Sequence, residues 1–437
     1  MNYDLIIIGS GPGGYRTAEY AARQGMQVLI VEADQAGGTC LNCGCIPTKA
    51  FCHDAELAAQ GLPLDFASVV ERKNAIVEQL RTGVETLMQS PGITMIYGKA
   101  SFKDTCTIEV ATPSSPTTLY TAPNIIIATG SHAKMLPIEG INLPHVMTST
   151  ELLNINHVPA RLCIIGAGVI GMEFACVFAS FGSEVTVVEF LKECLPTMDS
   201  DIAKRLRKQM EKRGVKFYLQ AGVKSITEQG VTFERKGKEE TVEADAVLVA
   251  TGRAANVEGL NLEAAGIEVS RQGIVVDPDT FLAHSSLNTH IYAIGDVNGR
   301  QMLAHAATFQ GYRAVNHILG KTDGIRFGIM PAAVFTNPEA ASVGPTEDQL
   351  KNEGKEFSTH KGYYRANGKA LTMNATEGLV KLLTDSEERI IGCHILGAHA
   401  ADLVQEIAAL MNRDATLTQL RETIHIHPTL SEILQDL

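Results

Sequence analysis

The chain has no basic run. Its 437 residues carry 37 Lys and Arg against 49 Asp and Glu, a net charge of −12. Proteins that hold nucleic acid neutralise phosphates with clustered cations, so that class is excluded. No apolar segment approaches the roughly 18 residues of a membrane span. The start, Met1-Asn2-Tyr3-Asp4-Leu5-Ile6-Ile7-Ile8, lacks the basic region of a signal peptide, and its apolar run is too short for one. Cysteine is scarce, with nine residues that are mostly scattered at irregular spacing. That usage fits a reducing cytoplasm, where a disulfide serves chemistry rather than structure. There is one Cys-x-x-Cys and no spaced histidine pair to complete a zinc site, so no metal is expected.

Three of the nine cysteines nevertheless crowd into one stretch, Gly37-Gly38-Thr39-Cys40-Leu41-Asn42-Cys43-Gly44-Cys45-Ile46-Pro47-Thr48-Lys49. The run from Lys49 to Leu57 reads as helix. It would place the cysteines at a helix N-terminus, where unpaired N–H groups favour the thiolate that disulfide exchange requires. The residues alone leave the pairing open, because Cys40–Cys43 would also be a redox pair of Cys-x-x-Cys type.

Upstream, residues 4–8 read as a buried parallel strand, followed by Gly9-Ser10-Gly11-Pro12-Gly13-Gly14, a helix over Tyr15–Gln24 and a strand over Gln27–Val31 ending at Glu32. The glycines Gly9, Gly11 and Gly14 would let the backbone approach a pyrophosphate at the helix N-terminus, and Glu32 would accept ribose hydroxyls. The unit recurs. A strand over Arg161–Ile165 leads into Gly166-Ala167-Gly168-Val169-Ile170-Gly171, a helix from Met172 to about Phe181, and a strand over Glu184–Val188 ending at Glu189. One chain is therefore expected to hold two dinucleotides. Glu189 favours a free 2′-hydroxyl, hence NAD over NADP.

Two matched segments, Asn124–Gly130 and Ala246–Gly252, each run as a strand into Ala-Thr-Gly and read as the closing strands of their domains. Ile291–Asp296 reads as a strand ending in Gly-Asp, and the Asp296 carboxylate would accept a ligand hydroxyl. From about Gly328 the pattern becomes α+β, with strands over Val334–Thr336, Leu379–Leu383 and Arg389–Leu396 and a helix over Ala400–Met411. Near the end, His427-Pro428-Thr429 suggests a helix start, with Glu432 placed to hold the tautomer of His427, the leading general acid–base candidate. Two nucleotide sites and a thiol pair together imply an electron relay in which a flavin at the first site mediates between hydride and thiolate chemistry.

These motifs resemble the FAD-dependent pyridine nucleotide–disulfide oxidoreductases nearly end to end. The resemblance rests on Gly-Gly-Thr-Cys-x-Asn-x-Gly-Cys-Ile-Pro-x-Lys at 37–49, Gly-Asp at 295–296, Pro-x-x-x-Phe-Thr-x-Pro-Glu-x-x-x-Val-Gly at 331–344 and His-Pro-Thr-x-x-Glu at 427–432. It implies an α/β chain of two Rossmann-like dinucleotide-binding domains and a C-terminal α+β dimerisation domain. The expected division is 1–148 with 260–325 for FAD, 149–259 for NAD, and 326–437 for the interface. It further implies a redox-active pair of Cys40, facing substrate, and Cys45, the charge-transfer thiol against the flavin. Lys49, near the flavin, would pair with Glu173; Gly130, Asp296 and Ala304, within Met302–His305, would hold FAD; Gly252 and Arg253 would touch the second nucleotide. His427 and Glu432 would reach the disulfide of a second subunit, so a homodimer is implied. Within the family, Gly-Ala-Gly-Val-Ile-Gly-Met-Glu-Phe and Ile-His-Pro-Thr-Leu-Ser-Glu most resemble dihydrolipoyl dehydrogenases, which oxidise a dihydrolipoyl group, free or on a carrier protein, and reduce NAD. Cys43, Ile46–Ala55 and Arg72-Lys73-Asn74 also resemble reductases that oxidise NADH and reduce cupric ion. Cys43 then reads either as a soft metal ligand or as a small residue packed by the disulfide. A third reading, of another class, is a non-catalytic metal-binding or redox-sensing protein built on Cys40, Cys43 and Cys45.

Overall fold

In the computed structural model, which describes residues 3–112 and 115–437, the chain gathers into two compact units. The first takes the chain up to Ala50, Val70–Lys134 and Gly252–Ile325; the second takes Phe51–Val69, Met135–Thr251 and Arg326–Leu437.

The first unit is built on a five-stranded parallel sheet in the order Ile291–Ala293, Asn124–Ile127, Leu5–Ile8, Val28–Glu32 and Ile93–Tyr97. Leu5 to Ile8 are all buried, as a strand covered on both faces must be. Asn124–Ile127, expected to close the domain, is an interior strand: Ile291–Ala293 lies outside it, paired in parallel as Ile291 against Ile125. The helix expected over Tyr15–Gln24 spans Pro12–Arg23, opening with proline at its first turn, where the missing N–H costs nothing. It packs on the helix Ala304–Ile318 through small residues. A Cβ on Gly311 would lie 1.7 Å from Thr17 Oγ1, so only glycine permits that approach. An antiparallel sheet of Lys99–Phe102, Thr107–Thr112 and Ser115–Thr121 and a two-stranded ribbon of Ser131–Ala133 with Arg253–Ala255 complete the unit's strands among the described residues.

The second unit repeats the plan. Its parallel sheet runs Lys216–Leu219, Glu184–Glu189, Arg161–Ile165, Ala246–Val249, Val146–Met147, so Ala246–Val249 is again interior rather than closing. The helix expected from Met172 spans Val169–Ser180. The C-terminal sheet is antiparallel, in the order Ala332–Val334, Glu339–Val343, Ile390–Gly397, Leu379–Thr384, Ser358–Tyr363, with the helix Ala400–Met411 packed on it as its apolar spacing required. The expected strand Val334–Thr336 stops at Val334, because the Phe335 N–H leaves the ladder and donates to Glu173 Oε1 at 2.9 Å.

One buried ion cluster ties this sheet to the second nucleotide segment. Lys381 Nζ, on the strand Leu379–Thr384, lies 2.7 Å from Asp199 Oδ1 and 2.8 Å from Glu347 Oε2; Lys381 is 2% exposed and Asp199 fully buried. Asp199 also caps the helix Ser200–Lys212. Removing the ammonium would leave a buried carboxylate uncompensated, so Lys381→Met is expected to cost about 3–5 kcal/mol in denaturant unfolding. A second signature is pH. Lys351 first, and then Lys381, pull the Glu347 carboxyl down to about 2 from its ordinary 4.5. A depressed carboxyl stabilises the fold fully above 4.5 and loses that contribution as pH falls toward 2, and Lys381→Met should shrink this acid limb without abolishing it, because Lys351 remains.

Candidate active site

The two glycine loops are near copies in three dimensions. Gly9 and Gly166 have φ of +101° and +105°, in the region that favours glycine. A Cβ on Gly14 would sit 1.9 Å from the Gly9 carbonyl oxygen, and one on Gly171 would sit 2.0 Å from that of Gly166. The third glycine of each loop is therefore fixed by helix–strand packing. The middle glycines differ: around a Cβ on Gly11 or Gly168 there is open space within 4 Å. Each loop is thus a closed turn with a clear approach over its centre, which fits a pyrophosphate against the N-termini of the helices Pro12–Arg23 and Val169–Ser180.

The acids are held alike. Glu32 Oε2 accepts the Ser10 N–H at 2.8 Å and the Ser10 hydroxyl at 2.6 Å, while its Oε1 accepts the Asp34 N–H at 2.8 Å. Glu189 Oε2 accepts the Ala167 N–H at 2.5 Å and its Oε1 the Leu191 N–H at 2.7 Å. Both acids are buried, at 8% and 7% exposure. Two N–H donors keep each carboxylate in place with lone pairs to spare for ribose hydroxyls. The residues present therefore fit two dinucleotides.

The cysteine stretch folds as a short helix, Gly38–Cys43, a break at Gly44, and a long helix, Cys45–Ala59. The long helix begins at Cys45, four residues before the expected Lys49. Asn42 holds the short helix by donating to the carbonyls of Ala36, at 2.9 Å, and Gly38, at 3.0 Å. The nine cysteines stand as thiols. The Cys40 thiol is hydrogen-bonded to Cys45, which brings together these two of the three clustered cysteines. The helix N-terminus led to the expectation of a lowered thiol pKa, and for Cys40 in the reduced pair the opposite holds. Its hydrogen bond to Cys45 and then burial push it well above the ordinary thiol range, and the Cys45 N–H and Lys49 oppose them without prevailing. In the dithiol, the Cys40 proton is therefore harder to remove than that of an ordinary thiol.

Asp296 lies in a 3-10 turn, Gly295–Asn298, directly beyond the strand Ile291–Ala293. Gln310, from the helix Ala304–Ile318, accepts the Gly295 N–H at 2.8 Å and the Asn298 amide at 2.9 Å, fixing that turn. Ala304 is the first residue of the same helix. Gly130 and Gly252 both take positive φ, +72° and +105°. Arg253 turns to Ser131, whose hydroxyl it reaches at 2.7 Å. Ser131 and Gln310 escaped sequence reasoning because neither belongs to a spaced motif, and Ser131 acts on a partner distant in the chain.

At the C-terminus His427 Nδ1 stands 2.9 Å from Glu432 Oε1, with the His427 side chain 81% exposed. The Thr429 N–H donates to Glu432 Oε2 at 2.8 Å, and the helix expected at Pro428–Thr429 begins only at Glu432. That N–H first, and His427 second, hold the Glu432 carboxyl below its usual range. The neighbouring His425 is spent on structure: its ring nitrogens reach Glu406 Oε1 and the Thr423 carbonyl, each at 2.8 Å, and its side chain is 4% exposed. Glu173, at 2% exposure, accepts the Phe335 N–H. Among the described residues, no three of His, Cys, Asp and Glu stand grouped as metal ligands, and no helix is long and apolar enough to cross a membrane.

Two dinucleotide cradles and a hydrogen-bonded thiol pair define an enzyme that moves electrons between a pyridine nucleotide and sulfur. Residues 3–311 match the pyridine nucleotide-disulphide oxidoreductase family, and residues 330–437 match its dimerisation domain. The chain belongs to this family. It is an NAD-linked, FAD-dependent oxidoreductase acting on a sulfur group, which displaces the non-catalytic reading. It is 37% identical to a mitochondrial dihydrolipoyl dehydrogenase of Pisum sativum, over 99% of this chain and 90% of the relative. It is 38% identical to the dihydrolipoyl dehydrogenase of Bacillus subtilis strain 168, over 99% and 95%. Among solved structures, the Cu(II) complex of the HOCl-induced flavoprotein disulfide reductase RclA from Escherichia coli is similar, with a TM-score of 0.90, 33% identity, and coverage of 100% of this chain and 99% of that one.

Proposed function

We propose that the chain is a dihydrolipoyl dehydrogenase, working as a homodimer in the cytoplasm. The observation that carries this reading is the His427–Glu432 pair, an exposed imidazole fixed by a carboxylate at 2.9 Å within the segment that matches the dimerisation domain. The side chain of its neighbour His425 is covered and committed, so of these two it is His427 that is disposed to meet a thiol from outside its own fold. With Nδ1 given to Glu432, Nε2 is the nitrogen that takes a proton.

In the proposed reaction, His427 removes the proton of one dihydrolipoyl thiol, and the resulting thiolate attacks Cys40 of the oxidised pair. The Cys40–Cys45 bond breaks, a mixed disulfide with Cys40 forms, and the electron pair leaves on Cys45. Cys40 takes the proton held by His427, whose freed Nε2 accepts the proton of the second dihydrolipoyl thiol as that sulfur displaces Cys40 from the mixed disulfide, and oxidised lipoyl departs. FAD, held by the residues assigned to it below, would supply the two-electron and hydride-transfer chemistry that links the Cys40–Cys45 pair to NAD. Gly9, Gly11, Gly14, Glu32, Gly130, Asp296 and Ala304 are assigned to FAD; Gly166, Gly168, Gly171, Glu189, Gly252 and Arg253 to NAD; Lys49 and Glu173 to the flavin side of the relay. The functional division follows residues 1–148 with 260–325, 149–259 and 326–437.

The open space over Gly168 gives this assignment its own check. A methyl there meets no protein atom but intrudes on the pyrophosphate. Gly168→Ala is expected to leave FAD content and unfolding midpoint unchanged and to raise the NADH dissociation constant at least about tenfold, read by fluorescence titration.

A second reading, an NADH-dependent cupric reductase, is favoured by the similarity to RclA over the whole chain and by Cys43, a half-buried thiol at the end of the helix Gly38–Cys43. The deciding experiment measures dihydrolipoamide-dependent NAD reduction by the purified yellow protein beside Cu(II)-stimulated NADH oxidation. Robust NAD reduction insensitive to copper is expected. Weak lipoamide turnover with strong copper stimulation that Cys43→Ala reduces would overturn the first reading in favour of the second.

A further inference from the structure

Asp296 does not stand alone in its turn. Its Oδ2 accepts the Ser131 hydroxyl at 2.5 Å, and the same hydroxyl oxygen accepts the Arg253 Nε–H at 2.7 Å. A second Arg253 nitrogen donates to the Ser131 carbonyl at 2.6 Å, whereas Arg253 Nε and Asp296 Oδ2 are 3.9 Å apart, too far for a direct hydrogen bond. The three groups thus form a directed chain from guanidinium through hydroxyl to carboxylate, and Ser131 is its obligatory middle.

Ser131 is well placed to be rigid. It is 3% exposed and sits on the ribbon that pairs Ser131–Ala133 with Arg253–Ala255. That ribbon is held on both sides: the Thr129 hydroxyl donates to the Asn256 carbonyl at 2.7 Å, the Asn256 amide to the Thr129 carbonyl at 2.9 Å, and the Lys134 N–H to the Gly252 carbonyl at 3.0 Å. A serine hydroxyl carries one proton. The Arg253 contact occupies a lone pair, so the proton is directed to Asp296. Oδ2 of Asp296 is thereby engaged, while Oδ1 accepts no hydrogen bond among the described residues and the side chain is 25% exposed.

We infer that Ser131 is a positioning residue for the cofactor: it fixes the Asp296 carboxylate through Oδ2, so that Oδ1 is presented as the acceptor for a hydroxyl of the flavin's ribityl chain, and the hydrogen bonding of Arg253 to that site runs through Ser131. This rests on the reading of Asp296 as an FAD-binding residue. The arrangement also gives Arg253, assigned above to the second nucleotide, a hold on the first.

The test is a double-mutant cycle on the full-length chain, stripped of flavin and titrated with FAD by fluorescence quenching. Ser131→Ala removes a hydrogen bond to a charged acceptor and is expected to raise the FAD dissociation constant about tenfold, with the unfolding midpoint of the flavin-free protein and the NADH dissociation constant unchanged. Asp296→Ala is expected to raise it further. The double variant should be no worse than Asp296→Ala alone, because Ser131 acts through that carboxylate. Should Ser131→Ala not fold, Ser131→Cys keeps the shape and replaces the hydroxyl by a weak donor. If Asp296→Ala leaves FAD affinity intact, the reading of Asp296 fails and the inference with it. If Asp296→Ala weakens binding and Ser131→Ala does not, or if the two effects simply multiply, Asp296 keeps its role and the role of Ser131 is overturned.

Discussion

Cys45→Ser is expected to lower dihydrolipoamide-dependent NAD reduction by at least about a thousandfold while FAD stays bound. The relay needs two sulfurs that can be joined and parted, and a serine oxygen neither forms that bond nor leaves as a stable anion at neutral pH. FAD should remain because the residues assigned to it, among them Gly9, Glu32 and Asp296, lie on other segments of the first unit. The variant also isolates what Cys45 does to its partner. The hydrogen bond to Cys45 is the leading cause of the raised Cys40 pKa, and burial is the second. Without the Cys45 sulfur, Cys40 should ionise at lower pH, and iodoacetamide should label it at lower pH than in the reduced wild type. The long-wavelength absorbance given by a thiolate against flavin should disappear. Retained turnover in Cys45→Ser would remove Cys45 from the relay and reopen the pairing of Cys40 with Cys43.

The parts of this site that could be read from the sequence are those whose geometry is local. A glycine loop and an acid at the next strand end close on each other within one strand–helix–strand unit. Ser10 meets Glu32 and Ala167 meets Glu189 across the same 22 positions, so two fixed spacings sufficed to find both cradles. The helix starts were misplaced, at Tyr15 and Met172 instead of Pro12 and Val169, because glycine inside a first turn looks like a breaker. Here Gly14 and Gly171 are demanded by packing against the loop carbonyls. The two Ala-Thr-Gly strands were correctly found and wrongly taken for edges, since the outer places go to segments outside each glycine-loop unit: Ile291–Ala293, later in the chain, and Val146–Met147, earlier in it. Ser131 bonds to Asp296 across 165 positions, and Lys381 to Asp199 across 182. No periodicity or spacing reports contacts of that range. A serine after Ala-Thr-Gly or a lysine inside an apolar strand signals its partner only once the fold has brought the two together.

His427→Gln is expected to slow reduction of the enzyme by dihydrolipoamide by about 10²–10⁴-fold and to leave reduction of bound flavin by NADH within about twofold. The two half-reactions differ in one respect: only thiol exchange must move a proton between a substrate sulfur and the protein. The His427–Glu432 pair is built for that transfer. Glu432 is anchored by the Thr429 N–H, and its carboxyl is held below the ordinary range by that donor and by His427, so it remains an anion throughout the span in which imidazole titrates. An anion at Nδ1 selects the tautomer with the proton on Nδ1 and stabilises the imidazolium formed when Nε2 takes the thiol proton. Glutamine keeps a hydrogen-bonding side chain of similar reach but has no site that binds and releases a proton near neutrality. Glu432→Gln should fall between the two, because it leaves the imidazole and removes the charge that steadies it. Stopped-flow absorbance separates the half-reactions, mixing oxidised enzyme with dihydrolipoamide in one experiment and with NADH in the other. If His427→Gln slowed both equally, the pair would be a structural feature of the C-terminal segment and the proton would have to move elsewhere. If only the thiol half-reaction slows, the exposure of His427, 81% of its side chain, is explained by what it must reach: a sulfur that its own subunit does not supply.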